Sequence, residues 1–68
     1  MYDYTYIVLA TNCNSQVMVE QYHACARPST ALRRFVRKTA DFIRDTPDDP
    51  IMVTVLDKNW KIVLAELI

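Results

Sequence analysis

Apolar and polar residues alternate along most of this chain, and the period of the alternation changes twice. Four runs repeat at every second residue, as strands do, at about residues 2 to 10, 16 to 26, 51 to 57 and 60 to 67. Between the second and third runs, apolar residues recur at helical spacing from about residue 30 to about residue 45. The sequence therefore predicts one α+β domain over residues 1–68, in ββαββ order, with a mainly antiparallel four-stranded sheet and one amphipathic helix on one face.

The predicted helix has clear ends and a clear apolar side. Ser29 or Thr30 can cap its start after Pro28, and Pro47 ends it, because the residue before a proline avoids the helical region. The apolar side, which we expect to lie on the sheet, carries residues at helical spacing: Leu32, Phe35, Val36, Thr39, Phe42 and Ile43.

The first hairpin is predicted to turn about Cys13. This turn pairs Ile7 with Val19 and Leu9 with Val17, an aliphatic set suited to the floor beneath the helix, and it sets Asp3 across from His23. The tyrosines at every second position then fall on the opposite face. A slip of the pairing by one residue would mix the two sets and turn the tyrosine rings inward.

The second hairpin is predicted to turn at Lys58 and Asn59, which pairs Val55 with Ile62 and Val53 with Leu64 beneath the helix. The face that the helix leaves uncovered is then also apolar, whereas a face that meets water alternates apolar with polar residues. Exposed apolar patches of this size usually mark interfaces. We therefore predict that this face forms a homodimer or binds another protein, through Tyr2, Tyr4, Tyr6, Met18, Tyr22, Met52 and Leu56.

Two other interpretations of the tyrosines stay open. The rings suit strands by propensity alone and can be half covered by a neighbouring loop. Nucleic-acid bases can also stack on an aromatic sheet, but such platforms have a cationic surround. Here the acids of the strands and their turn outnumber the lysines, which disfavours base stacking: Lys58 and Lys61 stand against Asp3, Glu20, Asp57 and Glu66.

The polar side of the helix is the second candidate surface. Its cations lie near the helix start and acids follow at the end, which is the reverse of the order that the helix dipole favours. We predict that Arg33, Arg34, Arg37 and Lys38 bind a partner with an acidic surface, with nucleic-acid phosphates as an alternative. A solvated helix face, with pairs such as Arg37 and Asp41, would explain the same pattern.

Chemistry-bearing residues are few. Asp3, His23 and Cys25 fall together in the predicted hairpin and could begin a cysteine nucleophile or metal site. We favour the simpler interpretation, a cross-strand ion pair beside a small buried thiol. A chain with 0 glycines also has no phosphate-cradling glycine loop. We therefore predict no enzyme activity, no catalytic residue, no metal and no cofactor.

The remaining features concern turns and location. Without glycine, we expect Asn12, Asn14 and Asn59 to take the positive φ angles that turns need. We expect Trp60 to cap one end of the core, and an exposed anchor for a partner is the alternative. Cys13 and Cys25 are too far apart along the predicted strand for a disulfide. No signal peptide and no membrane-length apolar run is present, so we expect a cytoplasmic protein that does not act at a membrane.

The segment HACARPSTAL leads the second predicted strand into the helix. In layout and size, this arrangement resembles several small phage-encoded proteins that bind and inhibit host enzymes, which implies an inhibitor. We predict a non-enzymatic interaction module, a small homodimeric regulator or inhibitor that binds a larger macromolecular machine. A nucleic-acid-binding dimer that uses the basic helix face and a small cysteine- or metal-dependent enzyme are the alternative hypotheses.

Overall fold

The structure is a computed structural model, and it describes residues 5–24 and 30–68. Its four strands form one sheet in which every neighbouring pair is antiparallel, and the strand order is β2-β1-β3-β4. The predicted α+β fold in ββαββ order is confirmed. The elements are β1 (Thr5–Asn12), β2 (Met18–Ala24), α1 (Thr30–Ile43), β3 (Ile51–Leu56) and β4 (Ile62–Leu67).

The hydrophobic core lies between α1 and one face of the sheet. The helix packs over β1, β2 and β3, so the edge strand β4 lies beyond it. Burial follows the two periods that the sequence predicts, every second residue on β1 and β3 and helical spacing on α1. The core residues are Tyr6, Val8, Ala10, Leu32, Val36, Ala40, Ile43, Ile51, Val53 and Val55.

The first hairpin is paired differently from the prediction, and the difference exchanges the two faces of β1. Ile7 lies opposite Tyr22, three residues from the predicted partner Val19. Because three is an odd number, one of the two strands must present its opposite face to the helix, and that strand is β1. The side chains of β2 keep their predicted faces, since Val19 packs against the core. Tyr6 therefore lies beneath the helix, with 5% of its surface exposed, and Ile7 lies on the uncovered face. The prediction that Tyr6 belongs to an open interface is wrong.

A longer turn causes this shift. Asn12 donates its backbone N–H to the carbonyl of Val17 at 2.9 Å, and Gln16 donates to the carbonyl of Asn12 at 2.7 Å. The loop therefore spans residues 13–16, whereas the predicted turn placed Cys13 at its centre. Tyr2 and Tyr4, the other two members of the predicted stripe, lie outside the described residues.

The second hairpin keeps its predicted faces in part. Val55 lies opposite Leu64, two residues from the predicted partner Ile62, and an even shift leaves Val53 and Val55 in the core. A bulge at Val55 and Leu56 then turns Ile62 to the uncovered face, opposite Leu56. The predicted place of Ile62 in the core is wrong.

Helix α1 begins at Thr30, as predicted, and ends at Ile43. Phe42 was expected on the sheet side, but 77% of its surface is exposed, and Ala40 is buried in its place. Position 42 lies on the flank of the helix nearest β2, whereas the small side chain of Ala40 lies at the centre of the contact and lets the helix approach the sheet.

A polar node formed by Asn12, Asn14, Thr46 and Asp49 joins the first hairpin to the segment between α1 and β3. The buried Asn12 amide donates to the carbonyl of Ile43 and to Asp49 Oδ2, both at 2.9 Å. Asp49, only 6% exposed, also accepts hydrogen bonds from Asn14 Nδ2 and from the backbone and hydroxyl of Thr46. The bonds from Asn12 and Asn14, then those from Thr46, hold the pKa of Asp49 well below its ordinary value of 3.8.

Candidate interaction surfaces

The face of the sheet opposite the helix, here called the open face, has no described element packed on it. The strand pairing arranges its side chains in three rows across β2, β1, β3 and β4. The top row is Met18, Thr11, Met52 and Leu67; the middle row is Glu20, Leu9, Thr54 and Ala65; the bottom row is Tyr22, Ile7, Leu56 and Ile62.

Large apolar side chains at both edges of the open face are exposed to solvent. On the edge strands, Met18 is 69% exposed, and Tyr22, Ile62 and Leu67 also keep large exposed fractions. On the central strands, Met52 is 44% exposed, and the other positions are more shielded because side chains of two neighbouring strands flank them; Ile7 is buried between Tyr22 and Leu56. Together these residues form an apolar plate of the kind that marks an interaction site.

Of the predicted sheet-face residues, the structure brings Met18, Tyr22, Met52 and Leu56 together on this plate. The prediction missed Ile62 and Leu67 on β4. Leu67 follows Ala65 by two residues, so the period of the strand could have identified it. Ile62 could not be identified in this way, because the bulge displaces it.

Glu20 is the only charged side chain in the three rows. Tyr22, two residues along the same strand, donates its hydroxyl to Glu20 Oε2 at 2.6 Å. That hydrogen bond and the negative charge of Glu20 raise the pKa of Tyr22 above its ordinary value of 10.0. The Tyr22 hydroxyl holds the carboxylate over the open face.

The cations predicted on the helix are placed together on its solvent side. Arg33, Arg34, Arg37 and Lys38 are all exposed. Asp41 forms its ion pair with Arg44, at 2.6 Å, rather than with Arg37, the partner named in the solvated-face interpretation. The first turn of α1 has no acid and the last turn no base, which confirms the unfavourable order relative to the helix dipole.

Trp60 does not cap the core as predicted, because 71% of its surface is exposed. It lies in the turn between β3 and β4, where its backbone donates to the carbonyl of Asp57 at 3.0 Å. Positive φ angles of 64° fall on Trp60 and Gln16, and in the described part of the chain none of the asparagines expected in this role has one. A bulky residue in this conformation is rare, so the turn holds the indole outward against its backbone preference.

A shallow groove of about 270 Å³ lies between α1 and the edge strand β2. Gln21, Lys38, Thr39 and Phe42 line it. Apart from Lys38, the groove shares no residue with the predicted sites. Its apolar lining comes mainly from Phe42.

His23 is a packing residue in this structure. It pairs with Tyr6 on β1, so its predicted pairing with Asp3 is wrong, and its ring stacks on Phe35 at a centroid distance of 4.7 Å. Asp3 and Cys25 lie outside the described residues. Among those that are described, no three His, Cys, Asp or Glu side chains are grouped so that they could hold a metal ion.

Comparison of the chain with models of known protein families, with curated proteins and with solved structures found no match. Over residues 5–24 and 30–68, no helix is long and apolar enough to cross a membrane. The function is therefore inferred from the surfaces themselves.

Proposed function

We propose that this protein is a non-enzymatic interaction module that forms a homodimer through its open face. The observation that carries the proposal is the uncovered apolar plate, with exposed Met18, Tyr22, Met52, Ile62 and Leu67 and one charged side chain. A chain of 68 residues has a thin core, and domains of this size often gain stability from a partner subunit.

The size of the plate supports a second copy as the partner. Strands about 4.8 Å apart and a rise of about 3.4 Å per residue give roughly 19 by 27 Å for four strands with the 8 residues of β1. The side chains project from this footprint of roughly 500 Å², so their accessible surface approaches the ~800 Å² that one partner contributes to a stable interface. Two such sheets stack about 10 Å apart, as in β-sandwiches.

A face-to-face dimer leaves both helices on its outer sides, where the basic helix face can meet a third molecule. We propose that Arg33, Arg34, Arg37 and Lys38 bind an acidic surface of a larger protein, which the dimer regulates or inhibits. The support is their exposure and the lack of ion pairs to other described residues. A formal net charge of zero favours a protein over nucleic acid as the partner. The free, exposed thiol of Cys13 suits the reducing cytoplasm that we propose as the location.

Light scattering after size-exclusion chromatography tests the dimer. The wild type should have twice the mass of the 7.9 kDa chain at tens of micromolar. Met52→Glu places a charge at the centre of the top row and should give a folded monomer. Phe42→Glu is the matched control, because it makes the same change on the exposed flank of the helix and should leave the dimer intact. A monomeric wild type would refute the proposal.

A further inference from the structure

Two copies of the open face can stack about a two-fold axis in two simple ways. With the axis parallel to the strands, β2 of one copy lies over β4 of its partner, and each row meets the same row in reverse order. With the axis perpendicular to the strands, each strand lies over its own copy, the top row meets the bottom row, and the middle row meets itself. The rows of the open face therefore fix which residues touch in each case.

Glu20 distinguishes the two arrangements. It belongs to the middle row, and the 2.6 Å hydrogen bond from Tyr22 holds its carboxylate over the open face. With the perpendicular axis, two Glu20 carboxylates face each other across the paired β2 edges, where like charges repel. With the parallel axis, each carboxylate lies against the partner's Ala65 at the edge of the sheet, with space for water beside the methyl group.

The other rows are compatible with the parallel axis. In the bottom row, Tyr22 covers the partner's Ile62 and Ile7 covers the partner's Leu56. In the top row, Met18 covers the partner's Leu67. The exposed edge residues Tyr22, Met18, Ile62 and Leu67 each meet a residue of the opposite edge, so all four gain apolar contact.

We propose that the second copy docks with its two-fold axis parallel to the strands, so that Glu20 of each chain lies against the partner's Ala65. This proposal rests on the proposed homodimer. Face-to-face sheets cross at about 30°, so the paired residues are adjacent rather than superposed. One consequence is that the two turns carrying Trp60 lie at the same end of the dimer, roughly 15 Å apart, because the sheets stack about 10 Å apart.

Charge substitutions at position 65 test the axis. Ala65→Lys places an ammonium beside the partner's Glu20 and should bind the second copy about tenfold more tightly than Ala65→Glu, because each of the two symmetry-related contacts changes from a like-charge pair to an opposite-charge pair. With the perpendicular axis, position 65 meets itself, so lysine and glutamate should weaken the dimer equally. Analytical ultracentrifugation at low and high salt measures the dimer dissociation constants of the two variants. The ratio between these constants should be smaller at high salt, because salt screens the charges.

A distance measurement gives the second test. Asn59→Cys carries a spin label in a background with Cys13→Ala and Cys25→Ala; Asn59 is exposed, and only its backbone nitrogen makes a hydrogen bond. Electron paramagnetic resonance should find roughly 15 to 20 Å between labels for turns at one end, and more than roughly 30 Å for turns at opposite ends.

The outcomes separate the two proposals. A monomeric wild type overturns the dimer itself. A dimer with a long label distance and equal weakening by lysine and glutamate overturns only the axis. A dimer that neither substitution at Ala65 affects overturns docking through the open face.

Discussion

The Asn12 side chain donates to Asp49 Oδ2 at 2.9 Å, although the two residues are 37 positions apart in the chain. Asn12 ends the first strand and Asp49 precedes the third, so this bond joins the first hairpin to the connection that leads back from the helix. It also places Asn12 against the end of α1, whose Ile43 carbonyl accepts from the same amide. The bond fixes the sheet that presents the open face.

Asn12→Ala should strongly destabilise the fold. The substitution removes both donated bonds and the acceptor of two turn amides, and it leaves buried polar groups unsatisfied. We expect a loss of about 3 kcal/mol in the free energy of unfolding, measured by urea denaturation. Asn59→Ala, which keeps its backbone bond in an exposed turn, should change it by less than about 0.5 kcal/mol.

Acid should weaken the fold through Asp49. Its pKa is lowered in the folded state, so the unfolded chain binds a proton more readily, and stability rises with pH across the window around and below 3.8. This contribution is complete above about pH 5 and is lost as the pH falls below it. Urea titrations at several pH values should show that the free energy of unfolding falls less on acidification for Asp49→Asn than for the wild type. Asp48→Asn, at an exposed neighbour outside the polar node, should keep the wild-type slope.

Gln16 and Trp60 both have positive φ angles, and substituting each of them tests whether backbone strain lowers stability. Trp60 also tests whether the exposed indole binds a partner. Gln16→Asn and Trp60→Asn should each raise the unfolding free energy by about 0.5 kcal/mol, because asparagine tolerates this conformation better. If the exposed Trp60 indole contacts a partner, only Trp60→Asn should also reduce binding to proteins captured from the source cell. A loss of stability in both variants would contradict the strain assigned to these turns.

The cations of the basic helix face should lower the free energy of unfolding of the protein, and they should strengthen its binding to an acidic partner. Arg34→Glu places an acid near the positive end of the helix dipole and should stabilise the fold by about 0.5 kcal/mol. Arg33→Ala with Arg37→Ala should reduce the capture of acidic proteins from the source cell, while the double variant stays folded and dimeric. Capture that depends on nucleic acid, and that nuclease treatment removes, would favour the nucleic-acid alternative instead.

The sequence was sufficient for the elements and insufficient for their pairing. Helical spacing from Leu32 to Ile43 and period-two burial on β3 are strong local signals, so the fold class and most of the core followed from them. The face of the first strand depended on the loop length. In a chain with no glycine, Gln16 takes the positive φ and Asn12 is buried, and neither choice has a local signal.

The residues of the candidate interface were also predicted only in part, because their faces depend on how the strands pair. Met18 and Tyr22 were predicted on the open face, and they lie there although β1 and β2 are paired differently from the prediction. Tyr6 was assigned to that face through the same pairing and lies in the core. The expectation of an uncovered apolar face agrees with the structure, because the face of β1 that replaces the tyrosines carries Ile7 and Leu9, which are equally apolar.

Hydroxyl-radical footprinting of Met18 and Met52 tests the central claim, that a second copy covers the open face, most directly. Both side chains are well exposed in a single chain, and so is Trp60, which lies outside the plate and serves as the internal reference. At concentrations where the dimer forms, we expect both methionines to be protected from oxidation relative to Trp60, and Met52→Glu to restore the reactivity of Met18. Methionines that react as fast as in that monomeric variant at every concentration would contradict the account.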